Sequence, residues 1–279
     1  MRQTGTPSAV ISKEEAWEEM EFKDILYEKY DQRAKITLNV GKYGMFSNNT
    51  LVELITAFQD AWGDKSVGAV ILTGSGEKAF SVGGGPKPVA EDAAPIEKLP
   101  MVTLFTQLLQ IIRLIPKPVL CAVNGMASAG GNVIQMVCDL TIASENAKFG
   151  QIGPRFGTFD AGYGTALLSR MIGDKKAREF WFTCRQYTAA ECLAMGLVNA
   201  VVPLEALAAE ADKWVDEIVK FSPTALAAVK ASFNADTAGA VANQAMAGVA
   251  LNAYYNTEEC KETQKAFAEK RVPDIAKYR

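Results

Sequence analysis

The 279-residue sequence contains no histidine. That absence removes imidazole relays, Ser-His-Asp and Cys-His nucleophile pairs, and histidine-based metal sites in one step. Any proton transfer falls to Asp, Glu, Tyr, Lys, Cys or water. Long apolar runs are missing too. The longest, MVTLFTQLLQIIRLI at 101–115, is broken by Thr103, Thr106, Gln107, Gln110 and Arg113, and it falls short of the roughly 20 residues that span a bilayer. It reads as a packed helix, and no membrane partner is expected. The five cysteines, Cys121, Cys138, Cys184, Cys192 and Cys260, are odd in number and show no CxxC spacing, so they read as free thiols in a reducing cytoplasm. A net charge of −3 with no Lys/Arg block argues against a nucleic-acid partner. Residues 1–20 carry the acidic SKEEAWEEM, with capping-box spacing at Ser12 and Glu15, and no apolar secretory signal.

What is present is an alternation of periods. FKDILYEKYD and AKITLNV read as paired strands, and NNTLVELITAFQDAW (48–62) has helical spacing. VGAVILTG (67–74), KPVLCAVNG (117–125) and part of VCDLTIASENAKFG (137–150) are short continuous apolar runs, as buried parallel strands would be. Strands alternate with helices through the first two thirds, which predicts βαβ units with right-handed crossovers. Beyond residue 160 the strand signal fades. GTALLSRMIG, DKKAREFWFTC, TAAECLAMG with Thr188 and Glu191 as a capping box, PLEALAAEADKWVDEIVKF and SPTALAAVKASF with Ser222 and Pro223 at its start all read as helices. The charged TEECKETQKAFAEKR (257–271) follows. An α/β core with a helical C-terminal region is the expected architecture, and 83–100 reads as an irregular loop.

Glycine concentrates in three places: FSVGGG (80–85), GMASAGGN (125–132) and GQIGPRFGTFDAGYG (150–164). Glycine loses the most conformational freedom on folding, so such clusters point to special backbone paths or to close approach. The first two each follow a predicted buried strand and precede a helix, where backbone N–H groups can hold an oxyanion. Read alone, they could equally be tight turns. Neither is GxGxxG or GxxxxGK[ST], so nucleotide phosphate is not favoured.

FSVGGG, KPVLCAVNGMASAGGN, CDLTIASENAKFGQIGP, KKAREFWFTCRQY and AMGLVNAVVP occur in an order and spacing that resembles the crotonase superfamily of acyl-CoA enzymes, from about residue 21 onward. GQIGPRFGTFDAGYG, KKAREFW and YYNTEE…FAEKR resemble the branch of 1,4-dihydroxy-2-naphthoyl-CoA synthases and 2-ketocyclohexanecarboxyl-CoA hydrolases. The resemblance implies a spiral of ββα units over 21–203, after a 1–20 extension, and a helical region at 204–279 used for trimer or hexamer assembly. It makes the amides of Gly84 and Gly130 the oxyanion hole for a thioester enolate. The two glutamates with which enoyl-CoA hydratases handle water fall at Val133 and Gly153. The acid of this branch falls at Asp160, with Tyr255 facing the substrate beside it, or Tyr254 if the register slips by one. Thr158 stands where the branch has serine.

The same resemblance places a bicarbonate base around Gln151, Gly153 and Trp181 in the synthases, and CoA contacts at Phe267 and Lys270 on the last helix, across a subunit boundary. No cofactor is implied beyond the CoA moiety and that bicarbonate. Taken without the resemblance, Asp160 is a helix cap, Trp181 a core aromatic and the last helix a solvated face. The branch's Asp after the paired glycines is Gly85 here. The loop keeps Lys87 but has no Arg or Tyr, and NVGKYGMFSNNT lacks the branch's Arg-Pro. These departures favour a ring-opening C–C hydrolase of a cyclic 2-oxoacyl-CoA. The alternatives are a ring-closing lyase of the synthase type and a CoA-thioester-binding protein without catalysis.

Overall fold

In the computed structural model the described residues are 22–85, 93–160 and 162–278. The segment 86–92, with Lys87, and the capping-box pair Ser12/Glu15 lie outside them. The chain opens with an antiparallel hairpin of β1 (Ile25–Tyr30) and β2 (Arg33–Leu38), with Ile25 opposite Leu38 and Tyr30 opposite Arg33. Asp31 and Gln32 turn it with positive φ at both residues, as the twist of a two-residue hairpin requires. After β3 (Met45–Phe46) comes α1 (Asn48–Gly63), started by a reciprocal cap between Ser47 and Thr50. Its buried Leu51, Leu54, Ile55 and Phe58 recur at i, i+3, i+4 and i+7.

The next strands explain why their sequences are continuously apolar. β4 (Ala69–Gly74) sends Val70 and Leu72 into the main core and Ala69 and Ile71 into a second cluster on the opposite face. After β5 (Ala79–Ser81), β6 (Gly83–Gly84) and α2 (Met101–Leu114), β7 (Val119–Val123) divides in the same way: Val119, Cys121 and Val123 face the main core, Leu120 and Ala122 the second cluster. A strand buried on both faces has no polar side to show. β8 (Met126–Ser128), α3 (Gly130–Val137), β9 (Leu140–Ser144) and β10 (Lys148–Gly150) complete the expected alternation.

Strands do not end there. After the short α4 (Gly153–Phe156), α5 (Gly164–Ile172) and α6 (Asp174–Thr183), β11 (Gln186–Thr188) pairs antiparallel with β10. β12 (Ala200–Val202), after α7 (Ala189–Met195), pairs parallel with β9. Three residues are too few to carry a period, and both pairings are long-range, so neither strand is legible from local pattern. The result is a six-stranded sheet, β1-β2-β4-β7-β9-β12, and a four-stranded sheet, β11-β10-β8-β5, with β3 and β6 as a separate pair. This is the α/β architecture expected.

Helix α8 (Leu207–Ile218) closes the back of the large sheet through Leu207, Ala211 and Val215. Then follow α9 (Pro223–Ala235), capped by Ser222, α10 (Ala238–Tyr254) and α11 (Glu258–Ala268). Among the described residues no helix is long and apolar enough to cross a membrane, and all five cysteines are unpaired.

Candidate functional site

The glycine clusters meet. FSVGGG does not run straight into a helix as expected: Gly83 and Gly84 form β6, held parallel to Met45 and Phe46. Buried Ser81 shapes this turn, donating to Gly44 O at 2.7 Å and accepting from Gly83 N at 3.1 Å. Gly83 has φ +95°, and a Cβ there would stand 3.0 Å from the Gly130 amide nitrogen. Gly130 begins α3, so its N–H has no carbonyl partner within its own helix. Ala129, just before it, is held at φ 49°, ψ −125°, a strained state for a residue with a Cβ and one that concentrates at functional sites. Phe46 and Phe105 stack at 5.5 Å beside Gly130. Asn124 braces the same corner, accepting from Gly74 N at 3.1 Å and donating to Gly76 O at 2.8 Å and Ala79 O at 3.1 Å. Ser81, Asn124 and the strained Ala129 were not singled out from the sequence. Only their place beside the glycine runs could have pointed to them.

The third cluster builds the opposite wall. Asp160 Oδ1 accepts from Gly162 N at 3.0 Å and Gly164 N at 3.3 Å, and Oδ2 accepts from Thr165 N at 2.5 Å. The carboxylate therefore does cap α5. Of its roughly four lone-pair positions, three are taken, and one on Oδ2 has no donor among the described residues. A Cβ on Gly164 would lie 3.1 Å from Asp160 Oδ1, from Trp181 Cζ2 and from Val133 Cγ2 alike. Glycine is what lets these three groups share one spot. Val133 is three residues into α3 from Gly130, so Asp160 flanks the helix that Gly130 begins.

Gly153 lies under Trp181, whose Cζ3 would be 3.3 Å from a Cβ at 153. Trp181 and Gln151 are buried, and Trp181 Nε1 and Gln151 Nε2 have no hydrogen-bond partner among the described residues. Trp181 is thus both a core aromatic and an unspent donor. Both N–H groups could donate to an acceptor oxygen.

The C-terminal helices cover the site from within the same chain. Tyr255 Oη and Thr158 Oγ1 are 2.8 Å apart, whereas Tyr254 packs on Phe159 with ring centroids 5.6 Å apart. The two neighbouring tyrosines thus have different partners. Burial pushes the Tyr255 phenol above the ordinary range, and the Thr158 bond opposes that shift. Gly157, at φ +86°, lets α11 approach: Cys260 Sγ donates to Gly157 O at 3.1 Å, and a Cβ on Gly157 would be 3.1 Å from Thr263 Cβ. Phe267 packs edge-on to Phe156 of its own chain at 5.2 Å. Lys270 is not on the last helix as expected, which ends at Ala268. It is exposed and left-handed at φ 56°.

A family model described as enoyl-CoA hydratase/isomerase matches residues 28–277. The chain belongs to that family. Its members make up the crotonase superfamily, and their fold is the one described above. Similar solved structures include an enoyl-CoA hydratase/isomerase from Pseudoalteromonas atlantica T6c, at 25% identity and TM-score 0.81, covering 91% of this chain and 100% of that one. An enoyl-CoA hydratase from Mycobacterium avium subsp. paratuberculosis K-10 has 25% identity and TM-score 0.77, covering 91% and 99%. One from Bacillus anthracis has 28% identity and TM-score 0.69, covering 90% and 98%. The chain is an acyl-CoA enzyme of the enoyl-CoA hydratase/isomerase type. Within that family its buried Val133 and Gly153 carry no acid, and Asp160 Oδ1 and Val133 Cγ2 flank the space a Cβ on Gly164 would fill.

Proposed function

We propose that this crotonase-superfamily enzyme opens the ring of a cyclic 2-oxoacyl-CoA by hydrolysing a C–C bond. The observation that carries the reading is that Asp160 Oδ1 and Val133 Cγ2 both flank the space a Cβ on Gly164 would fill, with Val133 three residues into the helix that Gly130 begins. Simple hydration needs acids at 133 and 153, and a valine and a glycine transfer no protons. The free lone pair on Asp160 Oδ2 positions a water and takes one of its protons as the oxygen attacks the ring ketone. The tetrahedral adduct collapses to a carboxylic acid. Its C–C electron pair passes to the thioester, whose enolate oxygen is held by the Gly84 and Gly130 amides. Asp160 returns its proton to the α-carbon. A hole donor of this kind contributes about 3–4 kcal/mol to the transition state. Tyr255, kept protonated by burial and aimed by Thr158, donates to the adduct.

A second reading has its own observation. The unspent donors of Gln151 and Trp181 beside Gly153 would hold a bicarbonate, which supplies a base for ring closure of an aryl-keto acyl-CoA. Phe267 and Lys270 are proposed to contact CoA. Assembly as a trimer or a dimer of trimers belongs to the same proposal, supported by the exposed Phe233, Met246 and Val249 on α9 and α10. Incubation with 2-ketocyclohexanecarboxyl-CoA and with o-succinylbenzoyl-CoA, each with and without bicarbonate, tests the two readings by mass spectrometry. Gain of one water by the first thioester supports ring opening. Bicarbonate-dependent loss of water from the second would put the synthase reading first. A protein that turns over neither thioester but binds both would be the non-catalytic member.

A further inference from the structure

A cavity of about 500 Å³ opens between the C-terminal end of α2, α9 and Tyr163, within the size range of ligand pockets. It is separate from the hole: Arg113 is eight residues, or about 12 Å of helix, from the Phe105 that touches Gly130. Two cations line it, and they differ. Lys230 spends all three of its donors, on Ile112 O at 2.9 Å, Lys117 O at 2.9 Å and Asp139 Oδ2 at 2.7 Å. Arg113 feels the Asp139 charge only at a distance. It donates to Thr237 Oγ1 and lies over the Tyr163 ring at 4.9 Å, and no carboxylate among the described residues is within ion-pairing distance. Burial pulls its guanidinium below the ordinary range. A partly buried guanidinium with no carboxylate in direct contact among the described residues is costly to keep, and its fork matches a carboxylate. The remaining wall is largely apolar, with Ile115, Pro116, Ala227 and Ala231, while Gln110 and Asn234 supply neutral polar groups.

We infer that this cavity binds a small organic carboxylate with a compact apolar body, anchored by Arg113. Its other wall, Tyr163, directly precedes the Gly164 whose amide bonds Asp160, so the site adjoins the catalytic turn without sharing its groups.

Isothermal titration of the full chain with cyclohexanecarboxylate and with cyclohexanecarboxamide tests this. The two have the same shape, and only one has charge. The acid is expected to bind at least tenfold more tightly than the amide. Arg113→Met should weaken the acid by at least tenfold, and Arg113→Lys should fall between. Saturating coenzyme A should leave the acid's affinity unchanged. Equal binding of acid and amide, an unaltered affinity in a folded Arg113→Met or Arg113→Lys variant, displacement by coenzyme A, or no binding of the acid would each overturn the assignment.

Discussion

Asp160→Asn separates the two jobs the structure gives to one side chain. The carboxylate accepts three backbone N–H bonds at the start of α5. In the amide, the oxygen can keep Gly162 and Gly164, but the NH2 group then faces the Thr165 N–H, donor against donor. Hydrogen bonds to a charged group contribute about 1.5–3 kcal/mol. Thr165 is exposed and water can take over its N–H, which places the loss near the lower end, at about 1–2 kcal/mol. For a chain of this length that lowers Tm by roughly 2–8 °C. Loss of a general base costs turnover by about 10²–10⁴, far more than such a stability loss explains at 25 °C. Calorimetry and single-turnover mass spectrometry on one preparation measure both. A lowered Tm with undiminished turnover would mean that Asp160 is a helix cap and nothing more, and the mechanism would fail.

Tyr255→Phe should lower turnover while changing stability by less than about 1 kcal/mol, because the Thr158 bond it loses is at a partly exposed site. The Tyr255 phenol is raised above its ordinary value of about 10. Its O–H therefore persists at every pH below that value and is lost only above it, so an alkaline limb in the wild-type rate profile should lie above pH 10 and vanish in the phenylalanine variant. Gly164→Ala places a methyl 3.1 Å from Asp160, Trp181 and Val133 together; overpacking should cost about 1–3 kcal/mol, and kcat should fall more than KM changes as Asp160 is displaced. Lys230→Met leaves Asp139 without its buried ion pair and strips the carbonyl of Ile112 in α2 and that of Lys117 in the loop after it, and chemical denaturation should record a loss of about 3–5 kcal/mol.

Much of the frame is legible because its signals are local. Strands buried on both faces, such as Val119–Val123, have to be continuously apolar, and α1 shows its core face by spacing alone. The glycine clusters mark where chain meets chain, but not which atoms meet. That Gly83 would touch the Gly130 amide, or that Gly164 makes room for Asp160 against Val133, is settled by contacts between segments far apart in sequence. The two readings of Asp160, cap and acid, do not exclude each other, because a carboxylate has more acceptor positions than one cap uses. The strained φ of Ala129 has no signature in its residue type. β11 escapes notice because three residues between two helices take strand form only through their pairing with Lys148–Gly150.

The most direct test of the central claim is to run the reaction with 2-ketocyclohexanecarboxyl-CoA in oxygen-18 water and follow the label. Water directed by Asp160 onto the ring ketone predicts a product still esterified to CoA, with one heavy oxygen in its new terminal carboxylate. Free coenzyme A and a labelled acid would mean that water attacks the thioester instead, and the account of the oxyanion hole as an enolate site would be contradicted.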